Sequence, residues 1–529
     1  MIWTPRATRG AVVASHNLAA QSGLAVLREG GNAVEAMVAA VATISVVYPH
    51  MNGIGGDGFW LIDDGDGSPR AILGVGGAGR EATVDFYRGL GHDTIPSRGP
   101  LAANTPAGTV SSWQAALDES KRWGGRLPLS RLLEDAAHYA RQGFPLTQLQ
   151  HDNTADKRDE LKDVPGFAGQ FLSDGEAPAP GTIFRNPALA DTFDRMAAAG
   201  LDDFYRGDLA RTIAADLARA GSPLTLADIE AHEVTLAAPL AFKIGGATLY
   251  NTPPPTQGLA SLIILGLFEQ LGCEAADGFD HVHALVEATK RAFRVRDTEV
   301  TDPAHADTDP ARFLDPAAMA AMVAEIDPAR ALPWPEPSQP ADTVWLGAID
   351  GDGRAVSFIH SIYWEFGSGV VLRDSGITWQ NRGVSFALDP ARPNPLQPGR
   401  KPFHTNNPAM ARFDDGRLMV YGSMGGDGQP QSQAALFSRY HHFGQDLQQA
   451  VSAPRWLLGR TWGTTTTALR IEDRFDPAVI DALRGAGHDI VVTGPYDAIM
   501  GHAGALVRNR EGVIEGAADP RGDGVVAAY

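Results

Sequence analysis

The sequence predicts an α+β protein, and three observations along its 529 residues carry that reading. Alanine-rich stretches with helical spacing dominate up to about residue 335. Short strand-like runs joined by tight turns dominate after Asp342. A proline-rich joint, with Pro328, Pro333, Pro335, Pro337 and Pro340, separates the two.

The elements follow in order. Residues 17–28 place Leu18, Ala19, Leu24, Ala25 and Leu27 on a helix that Gly30-Gly31 stops. Asn32 is a fitting cap for a second helix, 33–47. That helix is apolar almost all round, so it belongs in the interior, and Pro49 ends it. A glycine-rich loop from Gly53 to Gly58 leads into a short buried strand, 59–62. The middle, roughly 110–335, reads as mostly helical, with helices at 127–141, 186–198, 208–220, 257–271 and 279–296. Pro253-Pro254-Pro255 makes a stiff corner before the fourth of these. Beyond the joint, 344–349 and 355–362 flank Gly351-Asp352-Gly353 as a hairpin. Further strands are expected at 418–421, 505–508 and 513–517, and a helix at 430–443.

Composition bounds the function. Hydrophobic residues make up 44% and charged residues 20%, the values of a globular chain. A formal charge of −19 argues against nucleic acid or an anionic membrane surface as partner, because both select basic patches. Cys273 is the single cysteine, which rules out an internal disulfide and a cysteine-built metal site. The longest early apolar run, 36–48, is interrupted by Thr43 and Ser45 and is short of the roughly 20 residues a membrane span needs. The first residues lack the apolar core of a secretory signal, so a cytoplasmic location is expected.

Several motifs fall away. Gly53/Gly55/Gly58 and Gly74/Gly76/Gly79 match the spacing of a dinucleotide fingerprint. Neither has a strand before it and a helix opening after it, so both read as tight turns. His281 and His283 do not share a helix face, His441 and His442 diverge, and no metal site is expected. The sequence carries no G-x-S-x-G elbow, Walker A loop or H-E-x-x-H.

Ordered blocks along nearly the whole chain resemble the γ-glutamyltransferase family. They are Gly30-Gly31-Asn32-Ala33, Tyr48-Pro49-His50 with Gly53-Ile54-Gly55-Gly56, and Thr105-Pro106-Ala107-Gly108-Thr109. Asp342-Thr343, Phe366-Gly367-Ser368-Gly369, Gly422-Ser423-Met424-Gly425-Gly426 and Asp519-Pro520-Arg521 continue the series. The resemblance implies a four-layer αββα sandwich of the N-terminal-nucleophile hydrolase type. It also implies self-cleavage between Asp342 and Thr343, giving a large subunit, 1–342, and a small one, 343–529. The two would form an obligate heterodimer acting on a small-molecule amide with no cofactor, and further dimerisation is open.

The chemistry behind that resemblance is specific. A threonine hydroxyl needs a base to become a nucleophile. A free α-amine, with a pKa of about 7.7–8.0, supplies one near neutral pH. Thr343 has no free amine until the bond before it breaks. By its aligned position, Ser361 is expected to orient the Thr343 hydroxyl; in isolation it reads equally as a serine facing out of a strand. Gly425 and Gly426 are expected to present backbone N–H groups to the tetrahedral oxyanion, and alone they read as a tight turn.

The sequence departs from that family where the substrate's head group would bind. The family's arginine for the α-carboxylate aligns with Val75, and Arg80 is the nearest arginine. Its aspartate for the α-amine aligns with Ser385, and its paired serines align with His404 and Thr405. The stretch 385–404 is also short, so the lid loop is absent. Arg382, His404, Thr405, Asn406 and Asn407 remain, a set suited to a small carboxylate-bearing amide. With Asp342-Thr343-Val344-Trp345 at the junction, this resembles the oxamate amidohydrolase branch of purine nitrogen catabolism. Rival expectations are a γ-glutamyl hydrolase or transferase with rebuilt contacts, a cephalosporin-type acylase, and an uncleaved, non-catalytic binding protein.

Overall fold

Two seven-stranded antiparallel sheets stack face to face, with helices on both outer sides, in a computed structural model that describes residues 3–334, 342–459 and 466–529. The expected linker falls largely at 335–341, outside the described residues.

The first sheet runs Arg6–Ala7, Ile514–Ala518, Ala503–Arg508, Leu418–Ser423, Ala409–Phe413, Ala247–Asn251, Leu240–Ile244. The second runs Val525–Ala528, Gly10–Ala14, Asp342–Asp350, Ala355–Tyr363, Asp57–Asp63, Arg70–Gly74, Thr235–Ala237. Val13, Phe59, Trp345, Met410, Val420 and Leu506 fill the space between the sheets. On the outside, Asn17–Arg28 and Ala33–Val47 cover the second sheet, while Gly258–Leu271 and Gly428–Phe437 cover the first. This is the four-layer αββα sandwich.

Local chemistry explains the best-defined elements. The Asn32 side chain accepts from Val34 and Glu35 N–H, and Glu35 Oε2 accepts from Asn32 N–H at 2.9 Å, a reciprocal capping box. Every residue of Ala33–Val47 is buried, because the helix has a sheet on one side and Leu129–Gln142 on the other. That explains its lack of a polar face. The hairpin after the joint forms with Trp345 opposite Ile359 and Ala348 opposite Val356.

Two expectations need correction. The middle third is not simply helical: it holds the strands Thr235–Ala237, Leu240–Ile244 and Ala247–Asn251. Gly245-Gly246 between the last two is a hairpin signal that helical alanine counting overlooked. Nor do helices precede and strands follow, since seven of the fourteen sheet strands lie before residue 342. Each side of the joint contributes to both sheets. Neither glycine triplet opens a helix: the first runs from a turn into Asp57–Asp63, which includes Gly58, while the second, expected as a tight turn, begins on the last residue of Arg70–Gly74 and continues as irregular backbone.

Candidate active site

Thr343 sits one residue into the strand Asp342–Asp350, fully buried between the sheets. The ladder slips there. Asp342 pairs with Tyr363 and Val344 with His360, so Thr343 faces two residues, Ser361 and Ile362, instead of one. Such a bulge re-aims side chains and is a recurrent device beside active sites. Thr343 Oγ1 donates to Asn406 Oδ1 at 3.3 Å and accepts from Gln429 Nε2 at 3.2 Å. Ser361 Oγ accepts from Tyr363 N–H at 2.7 Å, and its cross-strand partner on the other side is Asp57.

Gly425 and Gly426 follow the strand Leu418–Ser423, with φ of 105° and 48°. Only glycine takes the first of these without steric cost. Gln429, three residues on, bridges this loop to Thr343: its Nε2 reaches the Thr343 hydroxyl while its Oε1 accepts from Asn407 N–H at 3.2 Å. Gln257 ties the same loop to the 404–407 segment, donating to Thr405 O at 2.6 Å and Gly426 O at 2.7 Å. Gln257 is itself gripped by Arg296, which also pairs with Asp427 at 2.8 Å.

Arg382 lies wholly buried behind this frame. It donates to Thr405 Oγ1 at 3.2 Å and Phe403 O at 3.3 Å, and its guanidinium stacks 3.5 Å from the Tyr363 ring centre. No carboxylate of a described side chain lies within ion-pair distance of it, and its Nε has no hydrogen-bond partner among the described residues. Burial pulls its pKa down to about 10, with Tyr363 and Asp57 acting the other way. Its hydrogen-bond partners among the described residues are thus neutral oxygens, and Asp57 acts on it only from beyond ion-pair distance.

His404 packs against Phe59 with the rings tilted at 60°, and accepts from Asn406 N–H at Nδ1, 3.2 Å. Its proton therefore sits on Nε2, which donates to Asp57 Oδ2 at 3.2 Å. Burial, reinforced by Arg382, keeps the ring neutral. Burial also pushes the Asp57 carboxyl up to about 7, against Arg382, Gln380 and the Gly108 and Gly76 N–H groups. A hydrogen-bonded chain thus runs from Asp57 through His404 and Asn406 to Thr343.

The structure gathers Thr343, Ser361, Arg382, His404, Thr405 and Asn406, with the Gly425–Gly426 loop tied in by Gln429 and Gln257. Asn407 contributes differently from the expectation. Its side-chain amide donates to Ser261 at 2.6 Å, and only its backbone N–H joins the Gln429 bridge. Ser385 donates to Phe403 O at 3.2 Å and lines a cavity of about 590 Å³ together with Tyr363, Phe403, Asp427, Arg296 and Asp297. Arg80 is turned to solvent, 3.8 Å from Asp228, and takes no part. Sequence reasoning missed Asp57, Gln429, Gln257 and Tyr363. An acid inside an otherwise apolar glycine loop, Gly55-Gly56-Asp57-Gly58-Phe59, was the one available signal.

Among the described residues, one cluster has metal-ligand spacing: His283, Glu287 and His488. Each group already has partners. His283 bonds His488 at 2.9 Å and Asp327 O at 2.8 Å, while Glu287 pairs with Lys290 at 2.7 Å.

Comparison with known proteins adds an independent line. The family model for gamma-glutamyltranspeptidase matches residues 19–529. The chain is 55% identical over 523 residues to the oxamate amidohydrolase proenzyme of Klebsiella pneumoniae, covering 99% of both chains. It is 42% identical over 522 residues to the glutathione hydrolase-like YwrD proenzyme of Bacillus subtilis, covering 98% of each. Among solved structures, cephalosporin acylase from Bacillus halodurans superposes with a TM-score of 0.91 at 32% identity, over 100% of this chain and 97% of that one.

Proposed function

The chain belongs to the gamma-glutamyltranspeptidase family, and we propose that within it this protein is a self-cleaving amidohydrolase that converts oxamate to oxalate and ammonia. The observation that carries the reading is Arg382, a buried guanidinium with no carboxylate of a described side chain within ion-pair distance, joined to the nucleophile's frame through Thr405 and Asn406. The relative named for oxamate supports the choice of acid.

The reaction begins in the chain itself. Thr343 Oγ1 attacks the Asp342 carbonyl, the peptide bond becomes an ester, and water hydrolyses it. This leaves residues 1–342 and a second chain starting at Thr343. The new α-amine then takes the proton of Oγ1. Arg382 holds the substrate carboxylate through Nε and an amino group. Oγ1 adds to the amide carbon, and the Gly425 and Gly426 N–H groups stabilise the oxyanion. Losing one such donor costs roughly 2.7–4 kcal/mol of barrier. The α-ammonium protonates the departing nitrogen, ammonia leaves, and water releases oxalate from the ester. The scheme uses no cofactor. We further propose a cytoplasmic location and a role in purine nitrogen breakdown.

A γ-glutamyl head group fits less well. Its α-ammonium would meet Ser385 and His404, both neutral, where an ion pair is needed.

A denaturing gel and a two-substrate assay test the proposal. Two fragments in place of one band at about 56 kDa, with oxalate released from oxamate and no turnover of a γ-glutamyl anilide, are expected. A single intact band and no turnover would favour an uncleaved binding protein. Anilide turnover with inert oxamate would favour the γ-glutamyl hydrolase.

A further inference from the structure

We propose that Tyr363 is the residue that sets acyl length, forming the wall between the carboxylate-binding guanidinium and the 590 Å³ cavity. The inference rests on Arg382 being the anchor for the substrate carboxylate.

Three observations carry it. First, Tyr363 faces both ways: it lines the cavity and its ring covers one face of Arg382 at 3.5 Å. Phe403 and Ser385 share the same wall, Phe403 through its carbonyl to Arg382 and Ser385 through its hydroxyl to that carbonyl. Arg382 itself, like Thr343, is fully buried behind them. Second, the guanidinium's edge is what remains for a ligand, since the ring occupies the face and Nε has no partner among the described residues. With the carboxylate held in the guanidinium plane, the extra length of a longer spacer would need the room that the ring takes between Arg382 and the cavity. Third, Tyr363 holds φ at +82°, in the left-handed region that a bulky residue seldom adopts. Such a conformation persists only where surroundings impose it, and it concentrates at ligand clamps. Here the imposing contacts are the N–H bond to Ser361, the stack on Arg382 and the ladder pairing with Asp342. Asp342 is the residue on the departing side of the proposed cut.

A homologous series of amides tests this: oxamate, malonamate, succinamate and glutaramate, each one methylene longer, assayed on the processed enzyme. The wild type is expected to lose kcat/KM steeply with each methylene. Tyr363→Gly, which suits the positive φ, joins the cavity to Arg382 and should raise the succinamate-to-oxamate ratio of kcat/KM at least tenfold. Tyr363→Asn, which also tolerates that φ, should shift the ratio in the same direction, so failure of one variant to fold leaves the test standing. Tyr363→Phe keeps the ring and should stay within threefold of the wild-type ratio. A ratio unmoved in a correctly cut glycine or asparagine variant overturns the proposal. So does a Tyr363→Phe shift above tenfold, which would assign the effect to the hydroxyl. A wild type inactive on the whole series would instead sink the reading of Arg382.

Discussion

Two buried arginine sites, one around Arg521 and Arg455 and one at Arg382, are built on opposite principles. Arg521 donates to both oxygens of Glu472 at 2.7 Å, to Asp519 at 3.0 Å and to Ala453 O at 3.0 Å. Arg455 closes the group on Asp519 Oδ2 at 2.8 Å. The two arginines hold the Asp519 carboxyl down to about 2 although it is buried. Arg382, equally buried, has two longer bonds to neutral oxygens, an aromatic face and an idle Nε. The first cluster is saturated with its own anions and pins the 519–521 turn to the segment around Glu472. The second has no carboxylate within ion-pair distance among the described side chains and connects through Thr405 and Asn406 to Thr343, the proposed nucleophile. Saturation marks a cation that supports the fold, and deficiency marks one that binds something else.

That contrast can be broken by experiment. The largest effect belongs to Thr343→Ala, expected to abolish scission on a gel and to lower amide hydrolysis by roughly 10⁴-fold or more. Residual cutting would mean that the deficient pocket is not where the chemistry starts. Next, Arg521→Met should cost about 3–5 kcal/mol by removing the cation that Glu472 and Asp519 share, leaving them only Arg474 and Arg455, read as a lower Tm with KM unchanged in the folded fraction. Arg382→Gln should do the reverse. Loss of charge-assisted bonds worth about 1.5–3 kcal/mol each predicts kcat/KM down roughly 100-fold, mainly through KM, with Tm held or raised. A Tm loss matching that of Arg521→Met would erase the distinction.

The smallest effect concerns Asp57. Its folded pKa of about 7 exceeds the ordinary carboxyl value of about 3.9. Its protonation therefore stabilises the fold at low pH, and that contribution fades as pH rises through about 7. Asp57→Asn cannot titrate, so the wild-type Tm minus the variant Tm should shrink from pH 4.5 to 7.5. A constant difference would contradict the assignment.

How much of this was legible in the sequence depends on which contacts made each element. The helices Asn17–Arg28 and Ala33–Val47 match their expected bounds because caps and glycine stops are local signals. The hairpin after residue 342 was equally local. Gly10–Ala14 and Val525–Ala528 were not visible as strands, because each is defined by a partner hundreds of residues away. The same division runs through the site. Thr343, Arg382 and the Gly425–Gly426 loop sit in contiguous motifs. Asp57 and Gln429 acquire meaning only when distant loops meet at His404 and Asn407. Tyr363 looked like the end of a strand until its stack on Arg382 placed it.

One feature of the sheets bears on what happens after the proposed cut. Asp342–Asp350 lies between Gly10–Ala14 and Ala355–Tyr363, while Val525–Ala528 grips the far side of Gly10–Ala14. The shorter piece would thus clasp an N-terminal strand of the longer one from both flanks. Isotope-labelled and unlabelled mature protein, mixed under native conditions, should never trade halves, because exchange would require melting both sheets at once. Severing the backbone would give up covalent continuity without giving up the single cooperative body.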